Sequence, residues 1–308
     1  MSRVGLLAAA VILACACVRV FAQPAASGRD LQGTWTNGTI TPLQRPEALA
    51  GKAYLTEAEV EAFERTWLDT FRKNFSEFDL TAPDLDYTYM DRQRVVPTRR
   101  TSLVTDPPDG RVPPLLPAAR ARADARPKPS LDDPEALGLA ERCLMETSFG
   151  ASTSAPPLVP SPFGQNFYQI VQTPTAVMIH SELVHHARVI RIGGTHLPAR
   201  ITSWLGDSVG RWDGDTLVVD TTNFDDHTRF GGSGPRLHVV ERFRRSGPTT
   251  LDYSFTVDDP DTWARPWSAE VPFRATTAPI LEYACHEGNH SMEHMLRGAR
   301  AEEKAAGR

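Results

Sequence analysis

The residues best suited to chemistry sit near the C-terminus, where Cys285-His286-Glu287-Gly288-Asn289-His290 is followed by Glu293-His294. On a regular helix, His-Glu-x-x-His places two imidazoles on one face to hold zinc, and the glutamate polarises the metal-bound water. Here the intervening pair is Gly288-Asn289, a poor helix interior and a good turn or helix N-cap. The preceding residues 279–285 read as a strand, so the histidines straddle a strand-to-helix junction. His290 and His294 then share a face of the last helix, with His286 or Glu287 approaching from the turn. Three readings stand: a zinc hydrolase using His286 with His290 or His294, a metal-free pocket served by His286 and Glu287, or a structural turn. Zinc is the only cofactor the sequence suggests, and the metal-free reading needs none.

Other polar groups fall on apolar strands. In the segment 176–182, Val177, Ile179 and Ser181 face one way and Met178, His180 and Glu182 the other. His185 or His186 can join His180 and Glu182 on a common polar wall, where a carboxylate would tune an imidazole base. In the strand 236–244, Glu241 shares a face with Leu237, Val239 and Phe243. A buried carboxylate needs an arginine or other donors, or it stays protonated. It therefore reads as a general acid, a substrate anchor, or the partner of an arginine such as Arg200 or Arg211. Asp225-Asp226-His227 precedes a glycine cluster at 231–234, a loop able to close over a barrel mouth. Trp263 and Trp267 offer aromatic faces to a sugar or an aromatic compound, or simply plug one end of the core.

The elements that position these residues change character along the chain. Residues 1–22 read as a signal peptide: Arg3, an apolar run from Val4 to Cys17, and Val20-Phe21-Ala22 before Gln23. A lipoprotein at Cys15 is the alternative, and either way the product is periplasmic or secreted. Removing the leader leaves Cys143 and Cys285, which pair in an oxidising compartment or remain as two buried thiols. Their bond would close more than 140 residues, worth on the order of 4 kcal/mol in loop entropy. The chain carries a net charge of −5, and losing Arg3 and Arg19 makes it about −7, which argues against nucleic acid or an anionic membrane as partner.

Residues 23–160 read as irregular and helical. Thr56 and Glu59 spell a capping box, and Val60, Phe63, Trp67, Phe71 and Phe75 form an aromatic stripe. Residues 117–129 read as a surface crossing, and 130–146 as a short helix carrying Cys143. From 161 to 308 the period becomes two, with seven or eight short strands and a hairpin turn at Asp213-Gly214. A helix over about 291–306 ends the chain. The fold class expected is mainly β: a curved antiparallel meander or lipocalin-like barrel decorated with N- and C-terminal helices.

Three long motifs are distinctive: Arg100-Thr101-Ser102-Leu103 with Asp106-Pro107-Pro108-Asp109-Gly110-Arg111, Trp204-Leu205-Gly206-Asp207-Ser208 through Val219, and Tyr283-Ala284-Cys285-His286-Glu287-Gly288-Asn289. They resemble a large family of exported bacterial proteins without an assigned activity. The resemblance implies that the second histidine of the zinc-like motif is incidental, because an aromatic residue often stands at the position of His290. It also implies that Cys285 through Asn289 matters as a turn, and it supplies no reaction.

The sequence thus leads to an exported enzyme using histidine–carboxylate acid–base chemistry on a small polar or aromatic substrate, of lyase, hydratase, isomerase or hydrolase type. His180, Glu182 and Glu241 stand as base, orienting partner and acid, with His286 and Glu287 at the opposing edge. Arg211 is an anion or oxyanion partner, and His185, His227, Trp263 and Trp267 contact substrate. The rivals are a non-catalytic lipocalin-like binding protein and the zinc hydrolase.

Overall fold

The computed structural model describes residues 28–74, 93–125, 131–145, 155–161, 164, 166–226 and 230–307. The signal-peptide reading, Phe75 and His227 lie outside these described residues. Eleven strands form one sheet: β1 (Gly33–Thr36), β2 (Val104–Asp106), β3 (Phe167–Gln172), β4 (Ala176–Ser181), β5 (Ala187–Ile192), β6 (Asp207–Asp213), β7 (Thr216–Thr222), β8 (His238–Arg245), β9 (Thr250–Asp258), β10 (Trp267–Glu270) and β11 (Phe273–Ala275). Nine of them close into a barrel in the order β11-β1-β3-β4-β5-β6-β7-β8-β9, with β9 pairing back onto β11. Strands β10 and β2 extend from β9 as a flap. Closure removes the free edges that an open sheet would expose. The N-terminal region contributes β1 and β2 to the same sheet that the later residues build.

Alternation in the β region decides which residues fill the barrel. Trp35, Tyr168, Phe243, Tyr253, Phe255 and Phe273 are all buried in one apolar cluster. Tyr253 lies 4.7 Å from Phe243 and 5.2 Å from Phe273, ring centre to ring centre. Burial pushes the Tyr168 hydroxyl well up, and burial beside the Glu241 carboxylate does the same to Tyr253. Trp263 and Trp267 belong to this cluster and pack edge to face at 6.0 Å, so they plug the core.

Glu241 is 0% exposed and meets Arg188, 4% exposed, through two parallel bonds of 2.6 and 3.0 Å. Tyr253 donates to the same carboxylate at 2.9 Å and accepts from the Leu158 amide at 2.8 Å. The arginine expected opposite Glu241 is therefore Arg188 on β5; Arg211 is exposed on the outer wall and Arg200 lies in the β5–β6 connection.

Four local expectations change. The β6–β7 turn is Gly214-Asp215, one residue later than expected, because Gly214 takes φ 59 at the first turn position. Residues 117–129 include a helix, α2 (Pro117–Asp124), started by its proline and burying only Ala119. Of the helix expected over 130–146, the described residues 131–145 form one 3-10 turn, Pro134–Ala136, capped by Asp133. Residues 279–285 form no strand, since the Leu281 and Tyr283 amides turn to side chains, as described below. Not every strand pair is antiparallel either: β5 and β6 run parallel, joined by a helix-free crossover over 193–206.

The first and last helices follow their caps. In α1 (Glu57–Asn74), the Thr56 and Glu59 side chains exchange bonds with each other's amides. Val60, Phe63 and Trp67 pack on Ile40, Leu55 and Val95. The last helix, α3 (His290–Ala305), starts where Asn289 accepts from the Met292 amide. Among the described residues no helix is long and apolar enough to cross a membrane.

Candidate active site

The parallel β5–β6 junction forces the chain to return to the start of β6, and this places residues 193–206 against the outer wall. Gly206 makes the close approach possible. It takes φ 70, and a Cβ there would lie 2.7 Å from Thr221 and 2.8 Å from the Thr222 carbonyl. Asn223 fastens the crossover by donating to the Leu197 carbonyl at 3.0 Å. The crossover carries His196 across the outer faces of β6 and β7.

On that wall, register aligns a row of ionisable groups. Arg191 of β5 faces Val209 of β6, Val209 faces Asp220 of β7, and Asp220 faces Val240 of β8. Asp207 and His238 flank this row on the same outward period. Arg191 grips Asp207 with bonds of 2.6 and 3.2 Å, and the Leu197 amide adds a third at 2.8 Å. His196 lies between two carboxylates, with Nδ1 3.0 Å from Asp207 and Nε2 2.9 Å from Asp220. The second oxygen of Asp220 is 3.0 Å from His238 Nε2. The result is a continuous chain: Arg191, Asp207, His196, Asp220, His238.

The two ends of this chain differ. Asp207 is 5% exposed, and burial pushes its carboxyl up. The bonds from Arg191, the Leu197 amide and His196 outweigh burial and leave it at about 2. At the other end, His238 is 38% exposed. Its Nε2 is committed to Asp220, and its Nδ1 has no hydrogen-bond partner among the described residues. A ring that donates from Nε2 to a carboxylate keeps a lone pair on Nδ1. Asp258, directly across from His238 on β9, is the other carboxylate next to it. Chemically, the buried end anchors and the exposed end can accept or deliver a proton.

Because the folded-state value of Asp207 is depressed, its ion pairs stabilise fully above about pH 4 and are lost as pH falls through about 2. The shift corresponds to about 2 kcal/mol. Urea unfolding of the parent chain and Asp207→Asn at pH values spanning that window should show a stability difference that shrinks by this amount on acidification. A difference constant with pH would mean Asp207 does not carry this charge coupling.

The residues singled out by sequence are distributed over four places, the last of them the C-terminal turn. Glu241 is inside the barrel. His180 is on the outer face of β4, where burial and the nearby His185 lower its basicity. Glu182, His185 and His186 form the β4–β5 turn, whose Val184 and His185 take φ 59 and 53. That turn holds the C-terminal segment: the Leu281 amide donates to Glu182 at 2.9 Å, and the Tyr283 amide to His185 Nε2 at 2.5 Å. His186 Nε2 donates to the Leu144 carbonyl at 3.1 Å, and burial lowers the basicity of its ring. The structure therefore separates Glu241 from His180 by the thickness of the wall and employs Glu182, His185 and His186 as a latch.

Cys143 and Cys285 are joined, with Cα atoms 5.7 Å apart. Asn289 donates to the Glu141 carbonyl at 2.8 Å and to Cys143 Sγ at 3.4 Å. His286 and Glu287 are exposed in the turn before α3, and His290 is the first residue of the helix. His286 thus precedes the helix, and the one-face geometry of a zinc-peptidase helix does not form. Among the described residues no group of three or more His, Cys, Asp or Glu side chains is placed to hold a metal.

Sequence reading passed over His196, Asp207, Asp220 and His238. The strand alternation that placed Glu241 inside also places His238 outside, and the β6–β7 hairpin puts Asp220 and Asp207 on the same outward face. His196 had no such signal, since it reaches them from a loop. No protein-family model, characterised protein or solved structure matches the chain.

Proposed function

We propose that this chain is an exported enzyme performing acid–base chemistry on a small polar or aromatic substrate, with His238 as the group that exchanges the proton. Asp220 orients His238 through Nε2, and His196, Asp207 and Arg191 hold Asp220 in place. The observation that carries the reading is His238 itself: one ring nitrogen on a carboxylate, the other open at a half-exposed surface. This is the carboxylate–imidazole arrangement that fixes a tautomer and presents a base. The chemistry it suits starts with proton removal from a hydroxyl, water or activated carbon, as in lyases, hydratases, isomerases and hydrolases. Export is supported by the leader's composition and agrees with the Cys143–Cys285 bond. The barrel interior, filled by aromatic rings and the Arg188–Glu241 pair, supports an outer-wall site over a lipocalin-like calyx.

Nitrogen-15 NMR of the histidine side chains tests this directly. At neutral pH, His238 is expected as the Nε2–H tautomer, and Asp220→Asn should reduce that preference. In a screen of lactones, esters and hydroxy acids, any turnover should fall at least about a hundredfold in His238→Asn, the lower end of the range for general acid–base groups. An Nδ1–H tautomer, or turnover unchanged in His238→Asn, would remove His238 from the chemistry.

A further inference from the structure

A second feature of the outer wall lies toward the opposite ends of β7 and β8 from Asp220 and His238. A cavity of about 430 Å³ opens there, within the size range of small-molecule sites. Register builds its floor. Arg242 faces Ser254, and Ser254 faces Glu270 on β10; one step along, Thr216 faces Arg244 and Arg244 faces Asp252. Since neighbouring strands are about 4.8 Å apart, the Arg242 and Glu270 backbones are separated by roughly 10 Å, with the Ser254 hydroxyl between them. Pro272 supplies an apolar patch on the rim.

The charges in this cavity are unequally committed. Arg244 is held by Asp252 at 2.6 Å, and the other Asp252 oxygen accepts from Ser246 at 2.8 Å. Glu270 lies 3.8 Å from Arg100. Arg242 has no ion pair or hydrogen bond among the described residues, although it lines the same cavity. With Arg100 standing beside the cavity against Glu270, three arginines face two carboxylates and leave one positive charge, centred on Arg242.

We infer that this cavity binds a small monoanionic carboxylate bearing hydroxyl groups, of the size of a sugar acid. The Arg242 guanidinium matches a carboxylate through two parallel bonds. Ser254, Thr216 and Glu270 bond hydroxyls, and Pro272 covers a C–H face. A dianionic phosphate ester would bring its second charge toward Asp252 and Glu270, and a neutral sugar would leave Arg242 unanswered. The inference stands apart from the role of His238, because the two places share no residue.

The experiment is calorimetric titration of the full chain, disulfide intact, with D-glucuronate, D-glucose and D-glucose 6-phosphate. Glucuronate is expected to bind at least about tenfold more tightly than the other two, with a dissociation constant of roughly millimolar order. Arg242→Gln should bring glucuronate down to the level of glucose. Arg211→Gln, two strands away across Val218 and outside the cavity, and His238→Asn should each leave the affinity within about twofold. All three side chains reach the surface, so each variant should fold. Absence of saturable glucuronate binding, equal or tighter binding of glucose or the phosphate ester, or an unchanged Arg242→Gln would overturn the inference. Loss of glucuronate binding in His238→Asn would also overturn it, by moving the ligand to the other site.

Discussion

Glu241→Ala should lower the unfolding free energy by about 3–5 kcal/mol, the range for removing one partner of a buried ion pair. The Arg188 guanidinium, 4% exposed, would keep its charge inside an aromatic barrel with its carboxylate gone. The Tyr253 hydroxyl would lose its acceptor at the same time, while the Leu158 amide kept its own. Two charges arranged this way need not favour the fold over an apolar pair, because desolvation opposes their attraction. The double variant Arg188→Met/Glu241→Leu should therefore recover most of the loss. Recovery should stop short of complete, since Tyr253 would still have no acceptor, a deficit of about 1–3 kcal/mol. Urea denaturation of both single variants and the double completes the cycle. If Glu241→Ala costs less than about 1 kcal/mol, the pair is not the buried structural link described here.

That same pair shows how far residue patterns can be taken. Alternation along 236–244 identified Glu241 as a carboxylate among hydrophobes, which is correct, and offered an arginine as one of its possible partners. The choice of arginine depends on strand order, and strand order is set by pairing between distant segments. Arg188 becomes the neighbour of Glu241 because the barrel closes, and no local period encodes closure. The C-terminal turn was legible for the opposite reason. Gly288 and Asn289 act within a few residues of themselves, and Asn289 caps α3 as its side-chain chemistry dictates. Residues 279–285 misled because an apolar run also suits an extended segment whose amides bond to side chains instead of a strand. His196 required the most non-local information: the parallel β5–β6 pairing, the crossover it forces, and the contact of that crossover with β7. The half of the site on β6, β7 and β8 follows from alternation once the hairpins are joined; the half on the loop follows only from the fold.

Replacing both cysteines, Cys143→Ser with Cys285→Ser, should cost the C-terminal segment about 4 kcal/mol of local stability, leaving the barrel within about 1 kcal/mol of the parent. The two halves of this expectation have different physical sources. The bond joins residues separated by 142 positions, and chain entropy alone assigns such a loop roughly 5 kcal/mol. That full amount would fall on global stability only if the tail and the barrel unfolded together. The contacts of the tail argue that they do not. No side chain of α3 is buried, and Leu281, His286 and Glu287 are exposed. Polar bonds to Glu182, His185 and the Glu141 carbonyl remain, with one from Arg300 to the Asp132 carbonyl, each worth about 0.5–1.5 kcal/mol net. The disulfide keeps the donors and acceptors of those bonds close together, and without it they must order a free chain. The segment 139–145 should stay docked, because Met145 is buried and His186 bonds the Leu144 carbonyl. Hydrogen exchange should accordingly show protection lost over residues 281–305 while β7, β8 and β9 retain theirs. Retained protection in α3 with a barrel weakened by more than about 3 kcal/mol would show that the bond stabilises the fold as a whole and not the latch.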